Sequence, residues 1–214
     1  MLVSRMPRGL LSSQLREQFG DIDIYLFDQL LRGRIGAEAT VLDAGCGSGR
    51  NLVFLARAGF DLYGVDASAD AIASARRQLA ELAPDFAPSR LSVQSVESLS
   101  FGDASMDVVI SSAVLHFAQD DPHFHACVAE MWRVLAPGGM LFCRLASTIG
   151  IESEVRPING RRHALPDGST RYLVDEALLM ETTRRLGGTL LDPLKTTVVQ
   201  HMRAMTTWVV KKGG

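Results

Sequence analysis

"VLDAGCGSGRN", residues 41–51, carries an apolar stretch into three glycines at alternate positions. The segment "TVLDAG" fits a buried strand bounded by glycine. The apolar run that follows, "GRNLVFLARAG", fits a helix with Gly59 just past its end. Between them, Gly45, Gly47 and Gly49 let the backbone turn tightly and approach a ligand that a Cβ would repel. A strand–turn–helix unit of this kind belongs to open α/β sheets. There, ligands sit beyond the carboxyl ends of the strands, beside the switch in strand order. Asp43 stands at that end. A helix beginning near Gly49 is expected to aim free N–H groups at the same place.

Outward from this unit the alternation continues. "DLYGVD" is a second strand, followed by an alanine-rich helix, "SADAIASARRQLAEL", that Ser68 is placed to cap. "RLSVQSV" and the strongly apolar "MDVVISS" are further strands, the latter buried on both faces. "DPHFHACVAEMWRVLAPGG" is a helix with Pro122 in its first turn and a Pro-Gly-Gly stop. "MLFCRLAS" is a fifth strand. Strands and helices in this order predict a doubly wound, mostly parallel α/β sheet of seven strands. After one more helix, "VDEALLMETTRRLGG", come "TLLDPLKTTVVQ" and "RAMTTWVVKK". The link between these two is too short for a crossover, so they must form an antiparallel terminal hairpin. Upstream, residues 1–36 are expected to form a helical cap, with Ser12 or Ser13 capping its first helix and Gly33 ending its second. Residues 37–214 then make the main domain. Within it, residues 148–171 show no period and are expected to be a lid or acceptor-side loop.

The ligand class follows from two carboxylates. A dinucleotide loop reads G-x-G-x-x-G and cradles a pyrophosphate; this loop reads G-x-G-x-G, and Asp43 just ahead of it would repel phosphate but suit an ammonium group. In "GVDAS", Asp66 ends the second strand, where an acid can accept from ribose hydroxyls. An amino-acid end and a ribose without phosphate describe S-adenosylmethionine. Plainer readings stand beside these: Asp43 as a turn cap, and Asp66 as the charge partner of a helix N-terminus.

At these residues the chain resembles the class I S-adenosylmethionine-dependent methyltransferases. "VLDAGCGSGRN", "GVDAS", "MDVVISSAVLH" and "RVLAPGGMLF" are similar to the family's successive motifs, over residues 41–147. The terminal hairpin also suits the Rossmann-like family fold, whose seventh strand lies antiparallel between the fifth and sixth. The glycine loop is similar to that of tellurite-resistance-type and other small-molecule branches. The resemblance implies that Gly45, Cys46 and Gly47 line the methionine end and that Asp43 reaches the ammonium through water. It implies that Asp66 binds the ribose with Ala67 near the adenine. Ser95 falls where many relatives carry an acid that accepts from the adenine amine, and the Val96 N–H would serve a ring nitrogen. Ser111 would offer its carbonyl to the ammonium.

His116, after the fourth strand, faces the acceptor side in the family arrangement. It is a candidate general base, with packing as its plainer role; His123 and His125 flank a helix start and fit surface positions. Tyr25 and Phe27 sit on an amino-terminal segment that relatives often fold over the cofactor, with plain packing an equal alternative. Arg156, Arg161, Arg162 and Arg171 crowd the aperiodic stretch, either solvated or as a clamp for an anionic acceptor.

Composition limits the rest. The 214 residues carry 22 Lys and Arg against 24 Asp and Glu, a net charge of −2 that exerts no general pull on nucleic acid or anionic membrane. The three cysteines, Cys46, Cys127 and Cys143, have neither disulfide nor zinc spacing and fit reduced thiols in a cytoplasmic protein. No bound metal is expected. No apolar run reaches the length of a membrane span. The expectation is an enzyme that transfers a methyl group to a small-molecule acceptor. The rivals are a non-catalytic S-adenosylmethionine-binding module and a nucleotide-dependent oxidoreductase. Nothing in the sequence sets the oligomeric state or the acceptor.

Overall fold

The computed structural model describes residues 8–214. Residues 1–7 of the expected cap, and the side chain of Ser12 with its expected capping role, lie outside them. Helix α1 (Arg8–Phe19) is under way before Ser13. Helix α2 (Ile24–Leu31) is capped by Asp23, whose carboxylate accepts from the Tyr25 N–H, and Gly33 follows its end with φ +68°.

The first strand, β1 (Thr40–Ala44), leads through the glycine turn to α3 (Leu52–Arg57). This helix is shorter than expected. It begins at Leu52 rather than near Gly49, because the chain first closes turns through Gly49 N–H to Cys46 O and Leu52 N–H to Gly49 O. Strand β2 (Asp61–Asp66) and helix α4 (Ala69–Leu82) follow, with Ser68 Oγ accepting from Ala71 N–H as the sequence predicts. Strand β3 is only Leu91–Val93; β4 is Met106–Ser112. Helix α5 (Asp121–Val134) carries Pro122 in its first turn, and β5 (Leu135–Ala146) starts at once, absorbing the Pro-Gly-Gly stretch.

The stretch 148–171 is not irregular. Its last residues and the following Tyr172 complete an antiparallel meander of β6 (Arg156–Asn159), β7 (Arg162–Ala164) and β8 (Thr170–Tyr172). It ties back to the main sheet where Thr148 N–H donates to Val174 O and Val174 N–H to Ala146 O. Helix α6 (Glu176–Arg185) follows. The predicted sixth strand is split into β9 (Gly188–Leu190) and β10 (Lys195–Val199), because Asp192–Pro193 interrupts it. A proline cannot donate to a ladder. Both pieces pair antiparallel with β11 (Arg203–Lys212).

The main sheet runs β10-β11-β5-β4-β1-β2-β3, with β9 also on β11. Neighbours among β1 to β5 are parallel, and β11 lies antiparallel to β5. This is the doubly wound, mostly parallel α/β sheet with an antiparallel end. Alternation along β1 feeds both faces. Leu42 and Ala44 join a core with α5 and α6, whereas Val41 joins one with α2, α3 and α4. The order reverses between β1 and β4, so the carboxyl ends of β1, β2 and β4 open one crevice. Among the described residues no helix is long and apolar enough to cross a membrane.

Candidate active site

The turn after β1 is held by its neighbour strand: the Gly45 and Cys46 N–H groups both donate to Val65 O at 2.8 Å. Gly45 has φ +87°, and a Cβ there would lie 2.3 Å from Val114 Cγ2. Gly47 has φ +55°, yet a Cβ would meet nothing within 4 Å. The first glycine is therefore required by packing. The second is required by its backbone and faces a cleft of about 530 Å³. Gly45, Cys46 and Gly47 form one wall of this cleft, Asp66 and Ala67 another, and Ser95 and Val96 a third. Gly49 packs beneath, against Ala75, and does not line it.

Asp66 Oδ2 accepts from Gly47 N–H at 2.9 Å and Oδ1 from Ser68 N–H at 2.9 Å. Asp66 lines the cleft, and each oxygen keeps further accepting capacity. Asp43 is 1% exposed under the glycine turn, and neither carboxylate oxygen has a hydrogen-bond partner. Burial pushes its carboxyl up to about 7, with the Arg50 guanidinium and the Asn51 side chain pulling the other way. An orphaned buried carboxylate beneath a glycine cradle fits a cationic group above it.

Ser111 is fully buried within β4, its hydroxyl unpartnered. The strand runs one residue further through the Ser112–Arg144 pair, so Ser112 is the serine that lines the cleft. At the cleft's far end His123 lies among the lining residues rather than on open surface. Its Nε2 is 3.7 Å from Glu97 Oε2, and Cys127 Sγ is 4.0 Å from the same carboxylate. The Ser95 side chain, more than any other group, holds the Glu97 carboxyl below its ordinary value, whereas burial pushes the Cys127 thiol up to about 12.

The other candidates separate. His116, in a turn Leu115–Phe117, is 7% exposed and its Nδ1 has no partner. It lines a second cavity, not the first. Burial, then Arg171 and Arg144, push its imidazole down to about 4, so it is neutral at pH 7. Tyr25 donates to or accepts from Thr197 Oγ1 at 2.6 Å and lines a third cavity beside Gln29 and Asp192. Phe27 packs edge-on against Phe19 and Phe54. Of the four arginines of the meander, Arg156 is exposed. Arg161 pairs with Asp175 at 2.8 Å, and Arg162 donates to Ala118 O at 3.1 Å. Arg171 alone of the four lines a cavity, the one that holds His116.

Sequence reasoning missed a hub. Asp23 is 3% exposed, and its Oδ2 is reached by Arg50 at 3.2 Å, Arg144 at 3.3 Å and Ser112 Oγ at 3.2 Å. Its own N–H donates to Asn51 Oδ1 at 3.0 Å. One N-cap thus fastens the amino-terminal helices to β4, β5 and the glycine turn. The only signal in the sequence is a cap-type residue before an apolar helix, which predicts the cap and not its partners.

Residues 42–143 match the family described as Methyltransferase domain. Over 110 residues the chain is 34% identical to an arsenite methyltransferase of Aquipseudomonas alcaligenes, a match covering 48% of this chain and 31% of that protein. The chain spans less than half the length of the first curated relatives it matches. A methyltransferase structure from Methanosarcina mazei superposes with a TM-score of 0.72 at 20% identity, covering 86% of this chain and 97% of that one. A Burkholderia thailandensis N1-methyltransferase, solved with 1,6-didemethyltoxoflavin and S-adenosylhomocysteine bound, superposes with a TM-score of 0.66 at 18% identity, covering all of this chain and 94% of that one. These likenesses extend the shared fold to both ends of the sheet.

Proposed function

We propose that this chain, whose residues 42–143 match the family described as Methyltransferase domain, transfers a methyl group from S-adenosylmethionine to a small-molecule acceptor by direct in-line displacement. The observation that carries this reading is the pairing of an open glycine cradle at Gly47 with the unpartnered Asp43 carboxylate beneath it. Asp43 supports the ammonium of the amino-acid end, and Asp66 takes the ribose hydroxyls on its remaining lone pairs. Ala67, Ser95 and Val96 flank the adenine. Bound there, the cofactor supplies an electrophilic methyl on a sulfonium leaving group. The protein's share is position and a dry wall, which Val114, Leu115 and Phe117 provide along the cleft. Neutral His116, which lines the adjoining cavity, is the candidate to take a proton from an acceptor that arrives protonated.

Calorimetric titration tests the cofactor. Wild-type protein should bind S-adenosylhomocysteine, and NAD⁺ should not compete. Asp66→Ala should lose about 10- to 150-fold in affinity, the equivalent of roughly 1.5–3 kcal/mol of charged hydrogen bonds. Unchanged affinity in a folded Asp66→Ala protein would remove this carboxylate from the site.

A further inference from the structure

Next to the cofactor cleft lies a second cavity of about 340 Å³, and Arg50 and Ala113 line both. Its polar wall is made by Arg50, Arg144, Arg171, Arg203, His116 and Asp167. Four guanidiniums therefore face one lining carboxylate. Asp23, behind Arg50 and Arg144, offsets one more. Asp167 is partly spent on its own turn, accepting from Ser169 N–H at 2.9 Å and Ser169 Oγ at 2.6 Å. Two positive charges remain in excess. Among the described residues neither Arg171 nor Arg203 has a carboxylate oxygen within 4.0 Å; Arg171 donates to Thr170 O at 2.8 Å and rests on the Phe117 ring.

Two polar groups of this wall lack partners. His116 is more than nine-tenths buried in this wall with an unpartnered ring nitrogen, and Arg144 Nε is buried with no acceptor. Unsatisfied buried donors are costly, and surplus guanidiniums in a half-closed cavity favour planar, bidentate oxyanions. Leu165, Val199 and Met205 complete an apolar side. We propose that this cavity is the acceptor pocket and that it takes a small molecule with an apolar body and a carboxylate or phosphate group. Arg171 and Arg203 hold the oxyanion, with Arg144 beside them in the wall. This rests on the methyltransferase reading, and it assigns the meander β6–β8 to the acceptor rather than to the cofactor, since none of its residues lines the first cleft.

The probes are benzoate, inorganic phosphate and benzamide, titrated at constant ionic strength with and without S-adenosylhomocysteine. The readout is the His116 ring resonance in NMR, assigned with His116→Gln. Benzoate or phosphate should saturate the shift, and benzamide should bind at least about tenfold more weakly. Preference for benzoate identifies a carboxylate acceptor, and preference for phosphate a phosphorylated one. Arg171→Gln and Arg203→Gln should each weaken the anion about tenfold or more while S-adenosylhomocysteine affinity holds. Equal binding of benzamide and benzoate, no saturation by either anion, or arginine variants that bind as the wild type does would overturn the proposal. Failure to bind S-adenosylhomocysteine strikes the cofactor reading instead, because the anion titrations without it still report on the pocket.

Discussion

Gly45 and Gly47 lie two residues apart in one turn, and the structure assigns them different faults when each is changed to alanine. At Gly47 the added Cβ meets nothing within 4 Å. Only the left-handed backbone, φ +55°, opposes it, at about 1–2 kcal/mol. For a chain of this size that is a loss of about 2–8 °C in Tm. Gly47 lines the cleft and Asp66 holds its N–H, so strain in this backbone should lower S-adenosylhomocysteine affinity by at least about tenfold. At Gly45 the Cβ would stand 2.3 Å from one Val114 methyl and 2.9 Å from the other. Overpacking adds about 1–3 kcal/mol to the backbone strain, for a Tm loss of about 4–20 °C. Val114→Ala should return the overpacking share in the Gly45→Ala background. Thermal unfolding and calorimetric titration of the three variants decide the matter. Equal Tm losses at the two glycines, or a Gly47→Ala protein that binds normally, would refute this division of labour.

Asp43 has its carboxyl raised from 3.8 to about 7 by burial. Between those values the folded chain keeps a proton that the unfolded chain releases, so stability without cofactor should fall as pH rises through that window. Asp43→Asn should flatten the slope in thermal unfolding while weakening S-adenosylhomocysteine. His116 runs the other way, lowered from 6.5 to about 4 by burial and then by Arg171 and Arg144. Its stability share is present above pH 6.5 and lost as pH falls toward 4, a loss that His116→Gln should abolish. Asp23→Asn retains a cap for α2 but loses the charge that faces Arg50 and Arg144. With those side chains 43% and 22% exposed, the cost should be about 1–2 kcal/mol. Hydrogen exchange should rise first in α1 and α2, and unchanged exchange there would disprove the hub.

What the sequence determined by itself is the strand–glycine–helix unit and the two carboxylates beside it. Asp43, the glycines and Asp66 are set by a strand end, positive φ values and the pairing of β1 with the next strand in sequence, β2. Hydrophobic period and punctuation suffice to read such features. The arginine-lined second cavity was decided by tertiary structure alone. Arg50, His116, Arg144, Arg171 and Arg203 come from five separate stretches of chain and meet near the carboxyl ends of β1, β4 and β5, where β11 begins and the separate β6–β8 sheet returns. Arg161, Arg162 and Arg171 look alike in an aperiodic string. Pairing sets them apart: β8 alternates Arg171 toward the cavity and Tyr172 into the core, a sorting that depends on the β7–β8 register. Side-chain facing in a strand reverses with a one-residue shift, and without a clear apolar period only the folded neighbours of the meander specify it.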